Sequence, residues 1–248
     1  MLPGPIHCLA LLALGLAALP GVASGADNHV TEREEMVRIL QLEVLMISRE
    51  TGISEIDPRV LDAMRAVPRH AFVPEMLRPF AYRNHALPVG HDQNIAAPLL
   101  VALMTHLAAL EPDDVVYETG TGAGYHAAVL SKLVDRVYSV EVVEPLAEHA
   151  EQLLKELHYD NVYAKAGDGY YGWPEQGPYD AIIVKEAIDH VPPPLLRQLK
   201  PGGRLVMPLG PAHGPQELTV ISKGQNGGVE ERRIMPVRFS PLQGGERL

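Results

Sequence analysis

The sequence predicts an α/β fold: a doubly wound, mostly parallel sheet with helices ahead of it and an antiparallel hairpin behind it. Three observations predict it. First, β-branched and apolar runs at 114–118, 136–140, 161–166, 180–184 and 203–207 alternate with helical patterns at 124–134, 145–158 and 192–199. Such alternation builds a parallel sheet with helices on both faces. Second, a glycine-rich turn, VVYETGTGAG at 115–124, joins a strand directly to a helix. Third, two last apolar runs, 217–222 and 231–239, flank the turn-rich GQNGG at 224–228 and read as a closing hairpin.

The elements follow in order. Cys8 to Leu19 is an uncharged apolar run, broken by Pro20 and Gly21 and followed by small residues. It is too short to span a bilayer, which needs roughly 20 residues. It reads as a secretory signal over 1–26, cleaved between Ser24 and Asp27, although no Lys or Arg precedes it. Thr31 to Glu34 has the form of a capping box opening a helix with an apolar face of Met36, Val37, Leu40, Val44, Leu45 and Ile47, ended by Gly52. Asp57 and Pro58 start a second helix as N-cap and first residue. Residues 68–98 contain five prolines and no long periodic pattern. Their apolar and aromatic content predicts an ordered, packed segment. A helix over 99–110 leads into the alternating region. The chain therefore divides into a signal (1–26), an N-terminal helical segment covering substrate and cofactor (27–98), and an α/β domain with its hairpin (99–248).

Composition narrows the function. Net charge is −10, from 21 basic and 31 acidic residues, which speaks against a nucleic-acid surface or attachment to anionic lipid. Cys8 is the single cysteine, so no disulfide framework or cysteine-based zinc site exists. The eleven histidines include no HExxH pair, and no metal site is expected. His85, His126 and His213 receive no role. No other segment has the length and apolarity of a membrane span, and the mature protein is expected to be soluble, monomeric and without stable membrane association.

Gly120, Gly122 and Gly124 let the backbone turn sharply and approach a ligand closely, and the helix N-terminus beyond them suits an anionic group. Glu141 ends the next strand, placed to accept hydrogen bonds from ribose hydroxyls. A dinucleotide fingerprint is GxGxxG. Here Tyr125 takes the third glycine position, giving GxGxG. Glu118, just before the turn, would repel a pyrophosphate but suits a ligand with an amino group and a sulfonium. Asp168 and Gly169, beyond the strand 161–166, sit where an adenine would lie. Together these point to S-adenosylmethionine.

Several segments resemble the protein-L-isoaspartate O-methyltransferase family: RHAFVPE (69–75), LPVGHDQNIAAP (87–98), VYETGTGAGYHAAVLSKL (116–133), SVE (139–141), GDG (167–169), PYDAIIV (178–184), LKPGGRLVMPLGP (199–211) and VRFSPL (237–242). The likeness covers roughly 33–243. It implies a Rossmann-like class I methyltransferase and methyl transfer from S-adenosylmethionine to the side-chain carboxylate of L-isoaspartyl residues. Those residues arise in ageing proteins, and the ester collapses to a succinimide that returns some aspartate. The resemblance also implies a cofactor set of Val89, Gly90, His91, Asp92, Glu118, Gly120, Thr121, Gly122, Gly124, Glu141, Asp168 and Gly169.

The chain departs from the family at the substrate side. The family's active-site serine belongs to a QTIS-like segment, which here reads Gln93-Asn94-Ile95-Ala96. Ala96 cannot donate a hydrogen bond, so the serine's role is not carried over, and Asn94 is the candidate replacement. After PYDAIIV the family continues with small residues, whereas this chain has Lys185 and Glu186. These border the crevice. Lys185 could hold a substrate carboxylate. Glu186 would repel one, or act as a base toward a hydroxyl or amine. Paired with each other, they would be structural. His91 is a candidate contact to the methionine moiety or the substrate.

Three functions stay open at this level: an isoaspartyl O-methyltransferase acting on isoaspartyl proteins and peptides, a methyltransferase of the same fold with another acceptor, and an exported, non-catalytic binding protein. The signal segment places the mature chain in the periplasm or outside the cell. The family resemblance places it in the cytoplasm.

Overall fold

The structure, a computed structural model, describes residues 29–244. The expected signal segment and Cys8 lie outside the described residues. Seven strands form the main sheet: β3 (Val115–Thr119), β4 (Arg136–Glu141), β5 (Val162–Ala166), β6 (Tyr179–Ile183), β7 (Leu199–Leu209), β8 (Gln216–Lys223) and β9 (Val229–Val237). Their order is β5-β4-β3-β6-β7-β8-β9. The pairs from β5 across to β7 are parallel. The pairs β7–β8 and β8–β9 are antiparallel. The expected doubly wound sheet and its antiparallel ending are both present.

The winding reverses between β3 and β6. From β3 the chain crosses outward to β4 and β5, then returns to place β6 on the other side of β3. Open α/β sheets form their ligand crevice at such a reversal, beyond the strand carboxyl ends. Here those ends carry Glu118-Thr119-Gly120 and Val184-Lys185-Glu186.

Alternation along the strands divides the core into two layers. Ala181 and Ile183 of β6 and Val206 of β7 face a layer built with α1 (Val30–Met46), α3 (Pro58–Ala66), α4 (Pro98–Ala108) and α5 (Tyr125–Leu130). Ile182, Val184, Leu205 and Met207 face the other layer with Tyr117, Tyr179 and Leu195. That Leu195 comes from α7 (Pro193–Gln198). The remaining helices are α2 (Ser48–Thr51) and α6 (Glu144–Glu156).

Local signals fare unevenly. Asp57 caps α3 as predicted, its side chain accepting from the Arg59 amide, with Pro58 in the first turn. The capping box does not form. Arg33 N–H donates to His29 O at 3.1 Å, so the helix starts earlier and Thr31 lies inside it. The His29 ring packs 4.1 Å from that of His70, which fixes this entry point. Met36, Val37, Leu40 and Val44 are buried as expected, but Leu45 is 59% exposed. α1 breaks at Ile47, and Gly52, at φ 71°, terminates the short α2 instead. α5 stops at Leu130 rather than 134. The Asn161 side chain takes the carbonyls of Ser131 (3.0 Å) and Val134 (3.1 Å), and Ser131 Oγ donates to Ala128 O, which together hold the turn that replaces the last helical turn.

Residues 68–98 are ordered and packed. Two 3₁₀ turns, Arg69–Phe72 and Glu75–Phe80, precede a ribbon of β1 (Leu87–Gly90) and β2 (Gln93–Ile95). His91 and Asp92 turn the ribbon at φ 52° and 56°, the pair of positive values that a tight two-residue hairpin needs. No helix among the described residues is long and apolar enough to cross a membrane.

Candidate active site

A cavity opens at the reversal point between β3 and β6. Its walls are the β2 segment with Asn94 and Ala96, the loop Gly120–Ala123, Glu141 at the tip of β4, Lys185 and Glu186 beyond β6, and Arg238 to Ser240 beyond β9. A second compartment continues from it past Val140, Val142 and Gly169. Gln93, Gly120, Glu141, Glu186 and Ser240 border both compartments.

The glycine loop is held by its own backbone. Gly120 N–H donates to Val140 O and Gly124 N–H to Thr121 O. Gly122 N–H donates to Glu141 Oε2 at 2.8 Å. None of these three amides is left for an anion, so the loop is not a phosphate nest. The helix α5 behind it has six residues, with Gly124 at its N-cap and no side-chain cap. Glu141 is 4% exposed, and its other oxygen accepts from Val143 N–H at 3.0 Å. Each carboxylate oxygen retains a second lone pair, so the group is fixed in direction yet still able to receive two hydroxyl donors. That fits a ribose. Gly169 approaches Thr119 so closely that a Cβ would lie 2.8 Å from Thr119 Cγ2.

Beneath the cavity runs a buried polar chain. Ser139 Oγ donates to Glu118 Oε1 at 2.8 Å. With its proton spent, Ser139 accepts from Thr121 Oγ1 at 2.6 Å. Lys185 Nζ meets Glu118 Oε2 at 2.9 Å, with Glu118 fully buried. Burial pushes the Glu118 carboxyl up, opposed by Lys185 and Ser139. This corrects the expectation for Glu118: its cationic partner is the chain's own Lys185, because a buried carboxylate needs a counter-charge. It also corrects the pairing considered for Lys185 and Glu186. Glu186 instead accepts a short hydrogen bond from Thr119 Oγ1, and Lys185 N–H donates to that same oxygen at 3.1 Å. The Glu186 carboxyl lies over Gly120, where a Cβ would come within 1.8 Å of its Oε1. Burial pushes its pKa up to about 7, with the Glu141 and Glu118 charges adding to the shift against the Thr119 bond and Lys185.

Several expected site residues stand off the cavity. Val89, Gly90, His91 and Asp92 form the outer strand and turn of the ribbon, and the tight turn carries His91 and Asp92 out into solvent. Asp168 lies past β5 and accepts from Tyr170 N–H at 3.0 Å. Gly124 packs against the Leu154 side chain. The cavity wall does hold Asn94, Lys185, Glu186, Gly120, Thr121, Gly122 and Glu141, and Gly169 borders the second compartment.

Four residues on or behind the wall went unassigned in the sequence. Arg69, fully buried, donates to Ala81 O and to Ala96 O, each at 2.8 Å, and stacks over Tyr125 at 4.8 Å. His126 is 4% exposed. Thr105 Oγ1 donates to Val101 O, so it accepts from His126 Nε2, leaving Nδ1 as a buried acceptor with no partner among the described residues. Burial pushes this imidazole well below the usual range, so it stays neutral. Arg238 and Ser240 belong to VRFSPL, where an alternation of packed and exposed side chains was the available signal. No group of three metal-ligating side chains occurs among the described residues.

Comparison with known proteins decides the family. Residues 41–247 match the model of the protein-L-isoaspartate (D-aspartate) O-methyltransferases (PCMT). A protein named protein-L-isoaspartate O-methyltransferase 1 from Cupriavidus necator is 48% identical over 98% of this chain and 93% of its own length. The chain belongs to the protein-L-isoaspartate O-methyltransferase family. Within that family, a relative of the same name from Nitrosospira multiformis is 53% identical over 89% of this chain and 90% of its own. A solved protein-L-isoaspartate O-methyltransferase superposes with a TM-score of 0.74 at 28% identity, over 86% of this chain and 66% of that one. A crystal structure from Plasmodium falciparum, described as a beta-aspartate methyltransferase in complex with S-adenosyl-L-homocysteine, shares the fold at a TM-score of 0.69 and 23% identity. The family fold is thus a class I methyltransferase fold.

Proposed function

We propose that this chain transfers a methyl group from S-adenosylmethionine to the side-chain carboxylate of L-isoaspartyl residues in proteins and peptides. One observation carries it beyond family membership: the buried Glu141 carboxylate and the bare backbone of Gly120 and Gly122 line the same cavity as Asn94 and Ala96, so a nucleoside seat and an acceptor wall face one space. S-adenosylmethionine, when bound, supplies a methyl carbon activated by a positive sulfur. Glu141 accepts from the ribose hydroxyls, and the bare backbone at Gly120 and Gly122 lets the cofactor lie close. Asn94 offers donors to the acceptor. The acceptor carboxylate is ionised at neutral pH, so no base is needed. The task of the wall residues would be to line the acceptor oxygen up with that methyl carbon and to keep water out. Alignment alone can supply roughly 7–11 kcal/mol of barrier lowering.

The domain boundaries drawn in the sequence, a monomeric state and export after cleavage near residue 26 are part of the same proposal. The reading of 1–26 as a leader rests on the uncharged run Cys8 to Leu19 and its break at Pro20 and Gly21. The test is paired: an isoaspartyl peptide beside its aspartyl twin, with labelled cofactor. A base-labile methyl ester on the isoaspartyl peptide alone is expected. Equal labelling of both, or of neither, overturns the reading. The mass of the mature N-terminus tests the export.

A further inference from the structure

We infer that Arg238 and Ser240, on the segment leaving β9, form the anchor for the acceptor carboxylate, taking the place of the hydroxyl missing at Ala96. This rests on the proposed carboxylate acceptor and names the residues that bind it. The cation first expected there, Lys185, is already committed: it sits 2.9 Å from the fully buried Glu118 and is itself only 11% exposed. Arg238 is the wall's other cation. It is exposed and makes no hydrogen bond or ion pair within the described residues. Besides Lys185, the charged walls it faces are Glu141 and Glu186, so a bound carboxylate needs a positive group that is not already neutralised.

The backbone that carries these two side chains is fixed in place. Val237 and Phe239 pack against the core, and Arg238 and Ser240, one step out of phase, turn away from it. Gln216, 3% exposed, accepts from Phe239 N–H at 2.7 Å and donates to Phe239 O at 3.2 Å. Ala187 N–H donates to Ser240 O at 2.8 Å, and Leu242 N–H returns a bond to Ala187 O at 2.9 Å. The segment is thus stitched to the residue after Glu186. Ser240 borders both compartments, as a residue beside the transferring methyl must, because the sulfur lies between nucleoside and acceptor. Its hydroxyl has no partner within the described residues. Arg238 holds one carboxylate oxygen, and Ser240 donates to the carboxylate so that the other oxygen faces the methyl carbon.

The test uses the full chain with an isoaspartyl peptide. Losing a charge-assisted hydrogen bond predicts a KM for the peptide at least about tenfold higher in Arg238→Gln. The KM for S-adenosylmethionine should stay unchanged, because the lost contact is made only to the other substrate. Arg238→Lys should recover part of the loss. Ser240→Ala should lower kcat, and adding Ala96→Ser to it should restore activity by returning a hydroxyl from the opposite wall. An unchanged peptide KM in Arg238→Gln, or equal rises for both substrates, overturns the anchor while leaving the proposed function intact. A wild-type protein that labels no isoaspartyl peptide overturns both.

Discussion

The carbonyl of Ala96 accepts a 2.8 Å hydrogen bond from Nη2 of Arg69, a guanidinium with no solvent exposure. The position where the family carries a serine is therefore braced from behind by a charged strut, which also holds Ala81 O. Burial lowers the Arg69 pKa to about 10, still far above neutrality, so the strut stays charged.

Arg69→Met should remove two charge-assisted bonds and orphan two carbonyls. The expected loss is about 2–5 kcal/mol of stability. Urea unfolding measures it. A midpoint unchanged from wild type would show the strut to be idle.

Lys185→Met should cost about 3–5 kcal/mol by leaving Glu118 buried without its counter-charge. The double variant Lys185→Met/Glu118→Gln should regain most of that, giving a coupling energy well outside additivity. Additive losses would mean that the pair at 2.9 Å contributes little.

Glu186 sets a pH dependence. Its folded pKa, about 7, exceeds the ordinary 4.5. Between those values the folded state binds more protons than the unfolded one, so this group makes stability fall as pH rises through the window and level off above it. The full drop is about 3 kcal/mol. Glu186→Gln should flatten that slope, seen by comparing unfolding midpoints at pH 5 and pH 8. At pH 8 it should also lower the peptide KM, since it removes a negative charge facing a carboxylate.

Glu141→Ala should weaken S-adenosylmethionine binding by about 10- to 100-fold, the equivalent of one or two charge-assisted hydrogen bonds. It also frees the Gly122 amide that Glu141 now holds. Calorimetric titration with the cofactor reads the change. Affinity within twofold of wild type would remove Glu141 from the cofactor seat.

Much of the fold was legible because its signals are local. Strand runs, the Asp57 cap and the closing hairpin each depend on neighbours in sequence. Thr31 misled because a capping box specifies a helix start only where the preceding chain is free to leave the helix, and the His29–His70 contact prevents that. At the site, the glycine turn and Glu141 were readable from spacing. The partners of Lys185, Arg69 and Glu186 were not, since each lies on a distant segment brought close only by the order of the strands. Arg238 and Ser240 show the same limit: their segment was noticed as a pattern, yet its place beside Ala187 follows from the crossing of the chain beyond β9 back to the tip of β6.

That crossing has a practical side. Leu242 and Gln243 border the smaller compartment, and Arg238, Phe239 and Ser240 the larger. A deletion that took Arg238 to Gln243 would strip both compartments of the wall that the segment beyond β9 provides, so a shortened variant meant for kinetic work must keep these residues.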